Sequence, residues 1–180
     1  MLLPIVAVLL AGLFVAPYPS APILMYHKIG EHKDILYVRE KLFQRQMAYL
    51  KKNNYNVVPL DTLVDKIKNG ENIPRKWVVI TFDDDHENLY TKAYPILKKH
   101  QFPAIVFLAF DAIGKGASLS WDQITEMQRS GLITFGYHSL SHVMLPLLTE
   151  EEATREIDKR PLEEKLGQKG GLLRLSKRSV

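Results

Sequence analysis

Residues 78–86 read VVITFDDDH. Val78, Val79, Ile80, Thr81 and Phe82 make an apolar run, rich in β-branched residues, that suits a strand buried on both faces as in a parallel sheet. Three consecutive carboxylates, Asp83, Asp84 and Asp85, stand at its end, followed by His86. Like charges gathered at the rim of a core lose hydration and repel one another, so a compensating positive group is expected to face them.

Working outward, short apolar runs alternate with amphipathic segments on both sides of this strand. Residues 23–27 (ILMYH), 55–58, 104–110 (AIVFLAF) and 132–137 read as further strands. A helix is expected over 39–52, with Leu42, Phe43, Met47 and Leu50 on its apolar side. Another is expected over 61–69, closed by Gly70, and a third over 87–99, bent by Pro95. Ser120 with Gln123, and Thr149 with Glu152, match the reciprocal capping pattern and predict helices at 121–129 and 150–165. Strand and helix thus alternate five times, the pattern of a parallel α/β domain.

At 180 residues and 46% hydrophobic composition, the chain has enough apolar material for one domain with a core. Its formal charge of +4 is unevenly placed: Lys165, Lys169, Arg174, Lys177 and Arg178 put five positive charges and no acid into residues 165–180. Subtracting those five leaves the remainder at −1, so no nucleic-acid partner is expected. The chain has no cysteine, which rules out disulfides, thiolate metal sites and cysteine nucleophiles and leaves His, Asp and Glu as metal ligands.

Residues 1–21 begin MLLPIVAVLLAGLFVAP, an apolar run of the length of a signal-peptide core and without Lys or Arg at its start. A secretory signal or membrane anchor is expected there, with an extracytoplasmic location. Neither an internal repeat nor an interdomain linker is visible, so one domain is placed at 22–166, followed by an atypical basic tail at 167–180 (GQKGGLLRLSKRSV).

In parallel α/β folds the site lies at the carboxyl ends of the strands, where the βα loops gather. Three such ends carry suitable groups: His27, the acids Asp83, Asp84 and Asp85, and the YHSLSH segment with His138 and His142. The i, i+4 spacing of His138 and His142 would put two imidazoles on one side of a helical turn, within reach of one metal ion. Either feature alone is weak, since such histidine pairs are common and acid clusters often begin solvated loops. Together, a carboxylate and two histidines make a set that leaves positions open for water and substrate. His32, His86 and His100 read as surface residues, with His86 close to the acids, and Trp77, Trp121, Tyr90 and Tyr94 read as core or rim packing rather than a sugar platform.

TFDD after an apolar strand, with HSLSH beginning 55 residues after Asp83, resembles the first two motifs of the polysaccharide deacetylases, carbohydrate esterase family 4. PILMYH at 22–27 and AYPILKKHQFPAIVFL at 93–108 resemble in particular the branch that deacetylates exported poly-N-acetylglucosamine. The resemblance implies an incomplete, distorted (β/α)7 barrel over residues 22–166. It implies a divalent metal cofactor, usually Zn2+, held by Asp84, His138 and His142, with Asp83 as general base and His27 as general acid. The implied function is hydrolysis of the amide bonds of N-acetyl groups on an N-acetylglucosamine polysaccharide.

Two departures from the family pattern stand out. Asp85 replaces the glycine that usually follows the acid pair, adding a like charge able to raise a neighbour's pKa or compete for the metal. Family members also continue past the helix at 150–165 with an Arg and a Pro-Tyr segment whose tyrosine N–H helps form the oxyanion hole, whereas residues 167–180 contain no tyrosine. A truncated product is therefore expected, from a frameshift near Gln168, with a rate penalty of about 100 to 1,000-fold for a lost oxyanion donor. The alternatives are a non-catalytic glycan-binding remnant, an inert fragment, and an Fe(II) oxygenase. The last usually uses an antiparallel jelly roll, which strand–helix alternation argues against.

Overall fold

The computed structural model describes residues 20–167 of the chain. The leader expected at 1–21 lies outside the described residues except for Ser20 and Ala21, and so does the basic tail from Gln168 onward.

The run that begins VVITF is strand β5 (Trp77–Asp83), buried at all seven residues. It pairs in parallel with β1 (Ile23–Tyr26), β4 (Asn56–Val57) and β6 (Ala104–Leu108), and β6 pairs in parallel with β7 (Ile133–Tyr137). The expected parallel α/β alternation is what the structure has, and its five expected strands form one five-stranded sheet. Among the described residues the sheet stays open rather than closing into a barrel. Two further strands, β2 (Lys28–Ile29) and β3 (Tyr37–Val38), form a separate parallel pair beside His27.

Side chains along β5 alternate between two apolar clusters, as strand geometry requires. Val78, Ile80 and Phe82 join the main core with Phe43, Met47 and Leu50 of helix α1 (Glu40–Lys52). Trp77 and Val79 pack on the other face with Val58 and with Leu63 of α2 (Leu60–Lys68). This alternation puts Asp83 on the same face as Trp77 and Val79. Tyr26, the residue before His27, stacks on Phe82 at 5.4 Å and meets Phe43 edge-on at 5.0 Å, which fixes the end of β1 beside the end of β5.

The helix expected over 87–99 is present as an unbroken helical run, a π-helical turn (Leu89–Ala93) that passes directly into α3 (Tyr94–His100), with the change of winding just before Pro95, which has no N–H to give the preceding turn. One expected helix is corrected: the helix expected over 150–165 is two, α5 (Glu150–Glu156) and α6 (Arg160–Leu166), because Pro161 cannot bond back toward Ile157. Asp158 pins the start of α6 by accepting from the Arg160 N–H at 3.1 Å. Both predicted capping boxes are present, at Ser120 before α4 (Trp121–Arg129) and at Thr149 before α5. Among the described residues no helix is long and apolar enough to cross a membrane.

Candidate active site

The carboxyl ends of β1, β5 and β7 converge, and Asp83, the last residue of β5, and Asp84, just after it, turn to different histidines. Asp83, only 4% exposed, has its Oδ2 4.0 Å from His27 Nε2. Asp84 has its Oδ1 3.1 Å from His142 Nε2 and 3.6 Å from His138 Nε2. Candidate ligand atoms of Asp84, His138 and His142 all lie within 4.8 Å of one another, a spacing and donor set that fit one divalent cation. Every residue that the sequence singled out for a site is thus brought to one end of the sheet.

The backbone explains how neighbours in sequence diverge. Asp84 sits in the left-handed region at φ +69°, so the chain turns sharply after β5 and aims its carboxylate away from that of Asp83. A non-glycine residue there costs about 1 to 3 kcal/mol, strain of the kind that collects at functional sites. The acid loop is then tied down: the Leu119 N–H donates to the Asp85 carbonyl at 2.6 Å, and the Ile29 N–H to Asn88 Oδ1 at 3.0 Å.

The histidine pair is held differently from what its spacing suggests. Residues 138–144 form neither helix nor strand, and the two rings meet edge-on at 4.8 Å because Ser139 (φ +70°) and His142 (φ +58°) are both left-handed. Hydrogen bonds sew this turn to its surroundings. The His138 N–H donates to the Leu108 carbonyl at 2.8 Å, the Asp111 N–H to the Leu140 carbonyl at 2.8 Å, and the His142 N–H to Ser139 Oγ at 3.0 Å. His138 is buried, whereas the His142 side chain is 38% exposed.

Electrostatics separate the three acids. Burial works against the Asp84 charge, but hydrogen bonds from His142 and His86 and the positive field of His142 and His138 hold its carboxyl well below the usual carboxylate range. Asp85 moves the other way: burial pushes its carboxyl up, against hydrogen bonds from its own backbone and Ser118. Its Oδ2 has no hydrogen-bond partner among the described residues, and Asp85 stands outside the Asp84–His138–His142 cluster. Neither effect expected of Asp85 is seen: its neighbour Asp84 is shifted down rather than up, and Asp85 lies outside the three-residue cluster, its own upward shift coming first from burial.

His86 is closer to the chemistry than its reading as a surface residue implied: its Nε2 lies 3.5 Å from Asp84 Oδ2, whereas His142 approaches Oδ1. Its position directly after the acids was the available signal. Glu156, which holds the histidine turn through Ser141, had no such signal in the sequence.

The profile of the polysaccharide deacetylase family matches residues 70–178, a span that takes in most of the basic tail. The Bacillus subtilis relative YxkH, provisionally named a polysaccharide deacetylase, is 33% identical over 136 residues, covering 76% of this chain and 48% of its own length. A Staphylococcus aureus protein named poly-beta-1,6-N-acetyl-D-glucosamine N-deacetylase is 33% identical over 107 residues, 57% of this chain and 37% of that protein. The chain therefore spans about half the length, or less, of these relatives. Among solved structures, the Streptococcus pyogenes deacetylase PplD in complex with acetate superposes with a TM-score of 0.77 at 30% identity, covering 82% of this chain and 70% of that one. The match over more than half of the sequence, on the strands that carry the acids and histidines, shows that this chain belongs to the polysaccharide deacetylase family.

Proposed function

We propose that this chain is a metal-dependent N-deacetylase that hydrolyses N-acetyl groups of an exported N-acetylglucosamine polysaccharide. The observation that carries the reading is the division of labour at the end of β5: Asp84 faces the two histidines of the β7 end, and Asp83 faces His27. Asp84, His138 and His142 would hold the cation, with zinc the first candidate for two imidazoles and one carboxylate. When bound, such an ion lowers the pKa of water toward about 7 and polarises an amide carbonyl.

The remaining work falls to the chain's own residues. Asp83, buried and beside His27, is placed to take the proton of the attacking water at its carboxylate. His27, 22% exposed in its side chain and 4.0 Å from Asp83, is placed to give a proton to the departing amine. The carbon–nitrogen bond breaks, oxygen from water stays with the acetyl carbon, and acetate and a free amino sugar leave. The acetate held by the S. pyogenes relative and the substrate named for the S. aureus relative support this choice of bond and polymer. An exported polymer also accords with the apolar leader at 1–21 and an extracytoplasmic, secreted or membrane-associated location.

The test is acetate release from short N-acetylglucosamine oligomers by the purified chain, with zinc or cobalt, with chelator, and in Asp83→Asn. Release that needs metal and is lost in Asp83→Asn is expected. Absence of release from folded, metal-loaded protein would replace this reading with a non-catalytic glycan binder.

A further inference from the structure

We infer that Glu156 is a positioning residue of the metal site, acting through Ser141 on His142; the inference rests on the metal reading above. Glu156 closes α5, is 9% exposed, and folds back onto the histidine turn fifteen residues earlier. Its Oε2 accepts from the Ser141 N–H at 2.9 Å, its Oε1 accepts from the Ser141 hydroxyl at 2.6 Å, and its backbone carbonyl accepts from the Leu140 N–H at 3.0 Å. With Ser139 Oγ taking the His142 N–H, three consecutive amides of the turn, 140, 141 and 142, each have a fixed acceptor.

That arrangement answers a problem the site poses. The His142 ring is 38% exposed, so packing alone does not hold it, and its backbone occupies the left-handed region. Besides its contacts with Asp84 and His138, its place depends on the peptide that precedes it, and the Glu156 carboxylate clamps that peptide. On helix grounds alone Glu156 is poorly sited, since an acid at a helix C-terminus meets the negative end of the dipole. A buried carboxylate is also costly unless strongly hydrogen-bonded, and both of its oxygens bond to Ser141. Mutating groups that orient ligands in this way typically costs about 10 to 100-fold in metal affinity or activity.

Zinc affinity of the full 180-residue chain, measured by competition with a chromophoric chelator, tests this for the parent, Ser141→Ala, Glu156→Gln, Glu156→Ala and His142→Ala. Glu156→Ala is expected to weaken zinc binding about 10 to 100-fold. Ser141→Ala and Glu156→Gln should each weaken it less, because the Ser141 N–H keeps an acceptor in both. Combining Ser141→Ala with Glu156→Ala should add little to Glu156→Ala alone, since both act on one path. A role confined to stability would lower the urea midpoint and leave the zinc affinity of the folded protein unchanged, which would overturn the inference. If Glu156→Ala does not fold, Ser141→Ala and Glu156→Gln decide it: parental affinity in both overturns it. A parent that binds zinc no better than His142→Ala would remove the metal reading itself and this inference with it.

Discussion

β5 is buried at each of its seven residues and hydrogen-bonded to three other strands, whereas the turn after β7 runs from His138 to Met144 without helix or strand. Both deliver residues to one site, but by different forces. The acids are placed by burial: a strand that cannot move without opening the core ends at Asp83. The histidines are placed by hydrogen bonds that the N–H groups of His138, Ser141 and His142 donate to the Leu108 carbonyl, the Glu156 carboxylate and Ser139 Oγ, in a turn where the His142 ring is half-exposed. Damage to the first region should therefore appear as lost stability, and damage to the second as lost metal binding in a folded chain.

The largest effect is expected at the acid pair. Asp83→Asn should lower acetate release by about 10² to 10⁴-fold, the range for removing a general base, while zinc binding stays at the parental level. Zinc titration beside the rate assay checks both halves. Loss of zinc together with activity would mean that Asp83 and Asp84 act as one group and that the left-handed turn at Asp84 does not separate them.

Next in size is the core beneath the acids. Phe82 is fully buried and meets Tyr26 at 5.4 Å and Phe43 at 6.0 Å. Phe82→Ala should cost about 3 to 5 kcal/mol by urea denaturation, from lost burial and the cavity left behind. The fraction that remains folded should still bind zinc, because no histidine-turn hydrogen bond involves Phe82. A variant of parental stability with weakened zinc binding would reverse the assignment of forces to the two regions.

How much of this was legible in the sequence follows the same division. The run of residues 78–82 announced a doubly buried strand because its signal is local, and the Ser120 and Thr149 capping boxes were legible for the same reason. His138 and His142 were found by a spacing that suggested a helical turn, yet two left-handed residues bring them together instead. The two-residue strands β2 and β3 are too short to leave a periodic pattern. The break between α5 and α6 did have a signal, Pro161, whereas the Glu156–Ser141 contact joins residues fifteen positions apart and exists only once α5 has folded back.

The smallest expected effect asks whether the histidine turn depends on α5 as a whole or only on its last residue. At the other end of that helix, the Thr149 N–H donates to Glu152 Oε2 at 2.9 Å and the Thr149 hydroxyl to the same oxygen at 2.8 Å. These bonds, the backbone one first, hold the Glu152 carboxyl below its ordinary value of 4.5. A carboxyl whose folded pKa is lowered contributes stability that is complete above its unfolded value and is lost as pH falls through the folded one. Glu152→Gln removes that charge, so its deficit against the parent in urea denaturation should be full at neutral pH and shrink as pH falls below 4.5. Thr149→Ala, which removes the capping hydroxyl, should cost about 1 kcal/mol at pH 7. Neither should change zinc affinity at neutral pH, because the turn is clamped by Glu156 and not by the first turn of α5. A loss of zinc affinity in either variant would extend the hydrogen-bonded support of His142 along the entire helix.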